Sequence, residues 1–348
     1  MSLAQLSVVF ASILDSVVAV FNAAPLWLIV LIKSGILLVI VLTTFAYSMI
    51  FERKIMAWMQ LRPGPNRVGP WGMMQPAADA VKMLFKEDLT PETADPVIYR
   101  FAPWISLFSA MAAYAVIPFS ETGTGVWGIG DVNAGILFVF ALTSIGVYGI
   151  SLAGWSSGSK YPLLGSVRST AQMVSYELAM TMSVVGVIVL AGTTSLAGIV
   201  HAQNSLWFLI PQFFGFVIYL ITAVAETNRA PFDLVEAETE LVGGFHTEYS
   251  GLRFGLFFIA EYLNMITVSC VATLLFLGGW SPLFGLGFIP GLLWFLAKAA
   301  LFLFMFIWLR TTLPRLRYDR LMNFGWKFLL PAATVNLMVT AAIVAWRG

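Results

Sequence analysis

The sequence predicts an all-α polytopic membrane protein, with eight transmembrane helices joined by structured cytoplasmic loops. Eight apolar stretches each approach the roughly 20 residues that a spanning helix needs. Hydrophobic residues make up 59% of the 348 and charged residues only 11%, with a mean hydropathy of +0.87, far from soluble-domain averages. The basic residues also collect between alternate pairs of stretches. No alternating strand pattern runs along the chain, so helices are left as the way to satisfy backbone groups in lipid. A net charge of +1 offers no basic surface for nucleic acid.

Residues 1–25 are apolar but lack the basic start of a signal peptide. Asp15 sits in the middle of this segment, and an ionised carboxylate at the bilayer centre costs about 2.5–3.5 kcal/mol. The expectation is a helix lying on the outer surface. Residues 26–348 then form one membrane domain with spans Leu26–Ile50, Phe101–Pro118, Val132–Trp155, Gln172–Leu190, Leu206–Ala225, Phe254–Leu277, Gly291–Arg310 and Phe328–Ala345.

The segments 51–100, 156–171, 226–253 and 311–327, with the adjoining span ends, hold Arg53, Lys54, Arg62, Arg67, Lys82, Lys86, Arg100, Lys160, Arg168, Arg229, Arg253, Arg310, Arg315, Arg317, Arg320 and Lys327. Of the 19 basic residues, that leaves only Lys33, Lys298 and Arg347. The positive-inside rule places those four segments in the cytoplasm and both termini outside.

The first cytoplasmic segment opens with Phe51–Pro70 and carries Pro63, Pro65, Pro70 and Pro76. Proline fixes φ and restrains the residue before it, so Arg62–Pro70 reads as a stiff non-helical loop that holds Arg62 and Arg67 in place. Beyond it, Met74, Ala77, Ala78, Val81 and Phe85 share one helical face, and Gln75, Asp79, Lys82 and Lys86 the other. Such a helix either rests on the membrane surface or packs against a soluble partner with its charged face lining a cavity.

Several charges fall at or inside the spans. Arg53 follows Glu52 at the end of the first helix, where a desolvated pair is expected. Glu177, Glu226 and Glu261 lie in helices four, five and six and must face protein or water. Lys298, inside helix seven, reads as the counter-charge for one of them, whereas Lys33 can snorkel to the outer interface. The loop after helix five is densest: Glu236 and Glu240 share a face if helical, with Glu238 opposite and Glu248 beyond Gly243–Gly244. Carboxylates this close titrate as a group and suit a proton relay.

The single cysteine, Cys270, excludes an internal disulfide, and an iron–sulfur cluster needs about four thiolates. His201 and His246 fall on opposite sides of the membrane and cannot share a metal. Gly285, Gly287 and Gly291 follow no strand, so they fail the context of a dinucleotide fingerprint. The chain is expected to carry no redox centre of its own.

The runs GPNRVGP, QPAADAVKMLFKED, YELAM, AETNRAPFDLVEAETELVGGFHTEY and RTTLPRLRYDRLM closely resemble the bacterial H-type membrane subunit at the heel of respiratory complex I, the proton-pumping NADH:quinone oxidoreductase. The likeness runs from about Leu26 to the C-terminus. It implies a bacterial inner-membrane protein whose cytoplasmic loops form a floor for the peripheral-arm iron–sulfur and quinone-site subunits. It also implies a ubiquinone tunnel lined or bordered by Arg53, Arg62, Asp79, Lys82, Phe85, Phe232 and Arg310. Glu52, Glu177, Glu226, Glu236, Glu238, Glu240, Glu248 and Glu261 would form the acidic path that couples quinone chemistry to pumping. Small membrane subunits would link the chain to antiporter-like pumps, and FMN and iron–sulfur clusters would sit in partner subunits, with ubiquinone as substrate. The alternatives are a homologous subunit of a membrane-bound hydrogenase or formate-linked complex, and a stand-alone proton or ion carrier. The segment pattern lacks the inverted repeats and broken helices of a carrier.

Overall fold

In this computed structural model the structure describes residues 25–122, 125–233, 242–282 and 289–347. The expected outer-surface segment, apart from residue 25, and the acids Glu236, Glu238 and Glu240 lie outside the described residues. The chain divides into two compact units, residues 1–43 and 44–348. The described part of the first unit is helical from Leu26 onward. It exposes Trp27, Leu31, Ile36 and Val39, the all-round apolar surface of a helix that meets lipid.

That helix, α1 (Leu26–Met59), continues beyond the expected end at Ile50. Its last turns hold Glu, Arg, Lys, Met and Ala, all good helix formers, and no proline intervenes before Pro63. In the second unit follow α2 (Gln75–Phe85), α3 (Pro96–Ala112), α4 (Gly135–Ser156), α5 (Lys160–Ala191), α6 (Leu196–Ala202), α7 (Phe213–Glu226), α8 (Gly251–Phe276), α9 (Gly291–Thr312), α10 (Tyr318–Phe324) and α11 (Leu330–Arg347). The protein is an all-α polytopic membrane protein. Among the described residues, six helical stretches are long and apolar enough to cross a bilayer.

Two of the eight expected spans are shorter. α3 begins at Pro96, ahead of the expected Phe101, because Asp95 accepts hydrogen bonds from the Val97 and Ile98 amides and Pro96 occupies the first turn. α7 has 14 residues and starts at Phe213, not Leu206; Pro211 cannot donate to a helical ladder and bars an earlier start. The segment 156–171, read as a loop, is largely helical, since α5 begins at Lys160 and ends at the left-handed Gly192. The last helix also begins early, at Tyr318, and passes through a π-helical turn, Gly325–Leu329. Pro331 cannot donate to the Lys327 carbonyl, and a wider turn just ahead relieves the clash its ring would make. A two-stranded antiparallel hairpin, β1 (Ser120–Thr122) and β2 (Gly125–Trp127), was not anticipated; it pairs Glu121 with Val126.

α3, α4 and α5 pack most closely. A Cβ on Gly149 would collide with Ser106 of α3, and one on Gly154 with Pro162 and Ser166 of α5. In lipid such small-residue contacts drive association, because burial of apolar area does not. Tyr99, Ala102, Ala153, Phe245, Tyr249 and Phe257 form a buried cluster. Within it Tyr99 and Tyr249 stack at 4.1 Å, and the Tyr99 hydroxyl donates to the Glu248 carbonyl at 2.7 Å. This cluster anchors the short 3₁₀ turn Gly244–His246 beside α4 and α5.

Candidate functional site

The charges expected near the cytoplasmic membrane boundary assemble into three features of the second unit, two of which share Glu261. In the last turns of α1, Glu52 is 2% exposed and is held by two guanidinium groups. Arg229 Nη1 donates to its Oε1 and Oε2 at 3.0 and 3.3 Å, and Arg310 Nη1 donates to Oε1. Arg229 Nε also meets Glu261 Oε1 at 2.7 Å, and its guanidinium lies 4.2 Å over the Tyr262 ring. Burial opposes the charge on Arg229, but Glu261 and Glu52 outweigh it and raise the pKa above its already high ordinary value. The outcome is an ion chain of alternating sign: Arg310, Glu52, Arg229, Glu261.

The expected Glu52–Arg53 pair does not form. Neighbouring residues on a helix project about 100° apart and cannot face each other. Arg53 instead bonds Asp79 of α2 at 2.9 Å, and Asp79 also accepts from Gln75 at 3.0 Å. Arg229, counted in the sequence only as a topology charge, is the residue that connects two of the predicted acids. Its placement in TNRAPFD, directly after a span and between acids, was the available signal.

The second feature is a cavity beneath the ion chain. Glu226, Asn228, Asp233, His246, Glu261 and Asn264 supply its polar wall, and Phe254, Phe257 and Phe258 an aromatic one. Glu226 is 7% exposed, and its Oε2 has no hydrogen-bond partner among the described residues. His246 packs edge-on against Phe245 and Phe254, with ring centroids 5.0 and 5.2 Å away. Burial pushes its imidazole down to about 4, with Asp233 pulling the other way. Glu177, on α5, accepts from Ser144 Oγ of α4 and so is tied to a different helix pair.

The third feature is an open groove lined by Lys54, Trp58, Arg62, Pro63, Pro65 and Trp71. The stiff loop expected over Arg62–Pro70 is non-helical up to its last residue, where a single 3₁₀ turn, Pro70–Gly72, begins. Gly72, at φ 75°, lets the chain turn back so closely that a Cβ there would collide with the Pro65 carbonyl; a left-handed φ suits glycine. Lys54 Nζ donates to the Trp71 carbonyl and ties the end of α1 to that turn.

The remaining candidates are scattered. Lys82 is exposed, Phe85 is 87% exposed, and α2 has no buried residue. Phe232 is buried and tilted 5.9 Å from Tyr176. Its carbonyl accepts from Gln172 Nε2 at 2.9 Å, a brace that residue type alone does not announce. Lys298 does not face a carboxylate among the described residues. Its Nζ donates to the carbonyls of Leu277, Gly279 and Ser281 at 2.7, 2.9 and 2.8 Å and lies 4.5 Å over the Trp207 ring. It caps the chain leaving α8, where carbonyls are left without amide partners. His201 meets Glu121 at 3.6 Å, and no group of metal-ligating side chains is found among the described residues.

Comparison with known proteins bears on what this geometry serves. A family model described as NADH dehydrogenase matches residues 32–341. The chain is 50% identical over 318 residues to an H subunit of NADH-quinone oxidoreductase from Symbiobacterium thermophilum, covering 91% of this chain and 97% of that one. It is 51% identical over 327 residues to the corresponding H subunit of Syntrophotalea carbinolica, covering 92% and 98%. A third relative, the H subunit of Brevibacillus brevis, is 47% identical over 329 residues, covering 93% and 97%.

Proposed function

The chain belongs to the NADH dehydrogenase family of NADH-quinone oxidoreductase H subunits, and from that premise we propose that it forms the membrane floor on which quinone reduction is coupled to proton translocation. In this reading it crosses a bacterial inner membrane eight times, with both termini outside. The peripheral-arm subunits rest on its cytoplasmic loops, and small membrane subunits connect it to antiporter-like pumps. Electrons reach quinone from NADH through the FMN and iron–sulfur clusters of those partners. Converting quinone to quinol takes up two electrons and two protons.

The observation that carries this reading is the unbroken ion chain from Arg310 through Glu52 and Arg229 to Glu261. Arg310 and the Arg53–Asp79 pair, with Arg62, Lys82, Phe85 and Phe232, would border the quinone tunnel. Glu261 lines the polar cavity together with Glu226. A change of charge beside Arg310 therefore alters the field on Glu52, which biases Arg229 between its two carboxylates and shifts the proton affinity of Glu261. Glu177, Glu236, Glu238, Glu240 and Glu248 would extend the acidic path. In a medium of low dielectric such neighbouring charges couple strongly.

The test is to purify the tagged chain from native membranes in mild detergent and assay NADH:quinone reductase activity. Co-elution of flavin and iron–sulfur proteins, with activity blocked by a quinone-site inhibitor, is the expected result. Hydrogenase or formate-linked partners would place the chain in a sister complex. A chain recovered alone and moving ions in vesicles would overturn the proposal.

A further inference from the structure

We propose that His246 is a proton-relay residue of the polar cavity, carrying protons among the carboxylates of Asp233, Glu261 and Glu226 through water held there. The inference rests on the coupling function proposed above and adds a residue to it.

The geometry places the imidazole where such a relay is needed. His246 closes a 3₁₀ turn shortly before α8, and it lines the same cavity as Glu226, Asp233 and Glu261. Those three carboxylates are the other titratable groups of the described lining; α3, α4 and α5 bring only Ser106, Gly146, Ile150 and Met173. Phe245 and Phe254 fix the ring plane edge-on. The buried Oε2 of Glu226, without a partner among the described residues, gives the cavity a demand for a hydrogen-bonding guest. Buried polar atoms of this kind are ordinarily satisfied by ordered water.

The step balances without further reagents. A neutral imidazole takes a proton on its bare ring nitrogen while releasing the proton from the other, and it ends neutral in the opposite tautomer. Burial keeps the ring neutral at physiological pH, so it neither traps the proton nor competes with the carboxylates for charge.

The test uses the complete complex in inverted membrane vesicles bearing His246→Gln. NADH oxidation by an artificial hydrophilic acceptor reports assembly, and quinone reduction with formation of a pH gradient reports coupling. With assembly unchanged, quinone reduction and the gradient should fall about tenfold or more, within the range ascribed to positioned proton transfer. The solvent isotope effect should rise, and added imidazole should restore part of the rate. Wild-type rates, or a loss that neither imidazole nor deuterated water alters, would overturn the proposal. If His246→Gln does not assemble, His246→Asn is read in the same way, and failure of both assigns the ring to packing and also overturns it. Glu261→Gln run in parallel separates the two ideas. If coupling is lost there but kept in His246→Gln, only the relay fails; if both variants are wild type, the cavity reading fails with it.

Discussion

Replacing Arg229 with Met would remove the guanidinium that joins Glu52 to Glu261 while keeping most of the side-chain volume. Glu52 would lose its 3.0 and 3.3 Å contacts and keep Arg310 and the Tyr262 hydroxyl. Glu261, with its side chain 29% exposed, can take up water instead, so most of the cost falls on Glu52. Breaking one side of a buried ion pair costs about 3–5 kcal/mol, and the surviving Arg310 and Tyr262 contacts argue for the low end. About 3 kcal/mol corresponds to a roughly 150-fold shift in the folded population. The expected outcome is a much reduced level of assembled complex, with thermal inactivation at a lower temperature. Adding Glu52→Gln to Arg229→Met removes the stranded charge and should recover part of the loss, giving a favourable interaction energy in the double-mutant cycle. A single variant as stable as wild type, or a double variant worse than the sum of its parts, would refute the reasoning.

Other parts of the structure make further outcomes testable. His246 has a folded pKa of about 4 against an ordinary 6.5, so between those values the unfolded chain binds more protons. Stability is then fully present above pH 6.5 and lost as pH falls toward 4, by up to about 3 kcal/mol, and the inactivation temperature of wild type should drop further over that window than that of His246→Gln. Lys298→Met strands three carbonyls and should cost about 1–3 kcal/mol for each one left unsatisfied, read as loss of the monodisperse complex on heating in detergent. Arg53→Ala unpairs Asp79 and should raise the apparent KM for quinone several-fold with little change in stability, as expected for a pair whose Arg53 side chain is 42% exposed; an unchanged KM would make the pair structural.

The helical membrane class was legible in composition because lipid leaves so few backbone solutions. The ends of the helices were harder to read, since apolar content marks where lipid is and not where hydrogen bonding stops. Thus α1 extends through a polar segment made of good helix formers, and α5 begins at Lys160 with Pro162 tolerated in its first turn, whereas Pro211 cuts α7 short within an apolar run. The intramembrane acids were visible as isolated charges, but their partners were not. Glu52 bonds residues 177 and 258 positions away, a separation that no local pattern reports. Lys298 was misread for a related reason. A buried ammonium can be satisfied by carbonyl dipoles at a helix end as well as by a carboxylate, and backbone partners leave no trace in residue type.

The contacts of Gly149 and Gly154 carry a consequence for how this molecule can change with time. At both positions a single added methyl meets a neighbouring helix, so the permitted alphabet there is glycine alone unless a facing residue shrinks in step. At these two contacts α3, α4 and α5 therefore drift only by paired substitution. Variation between lineages should concentrate instead on the open groove around Arg62 and on the lipid-facing flank of α11.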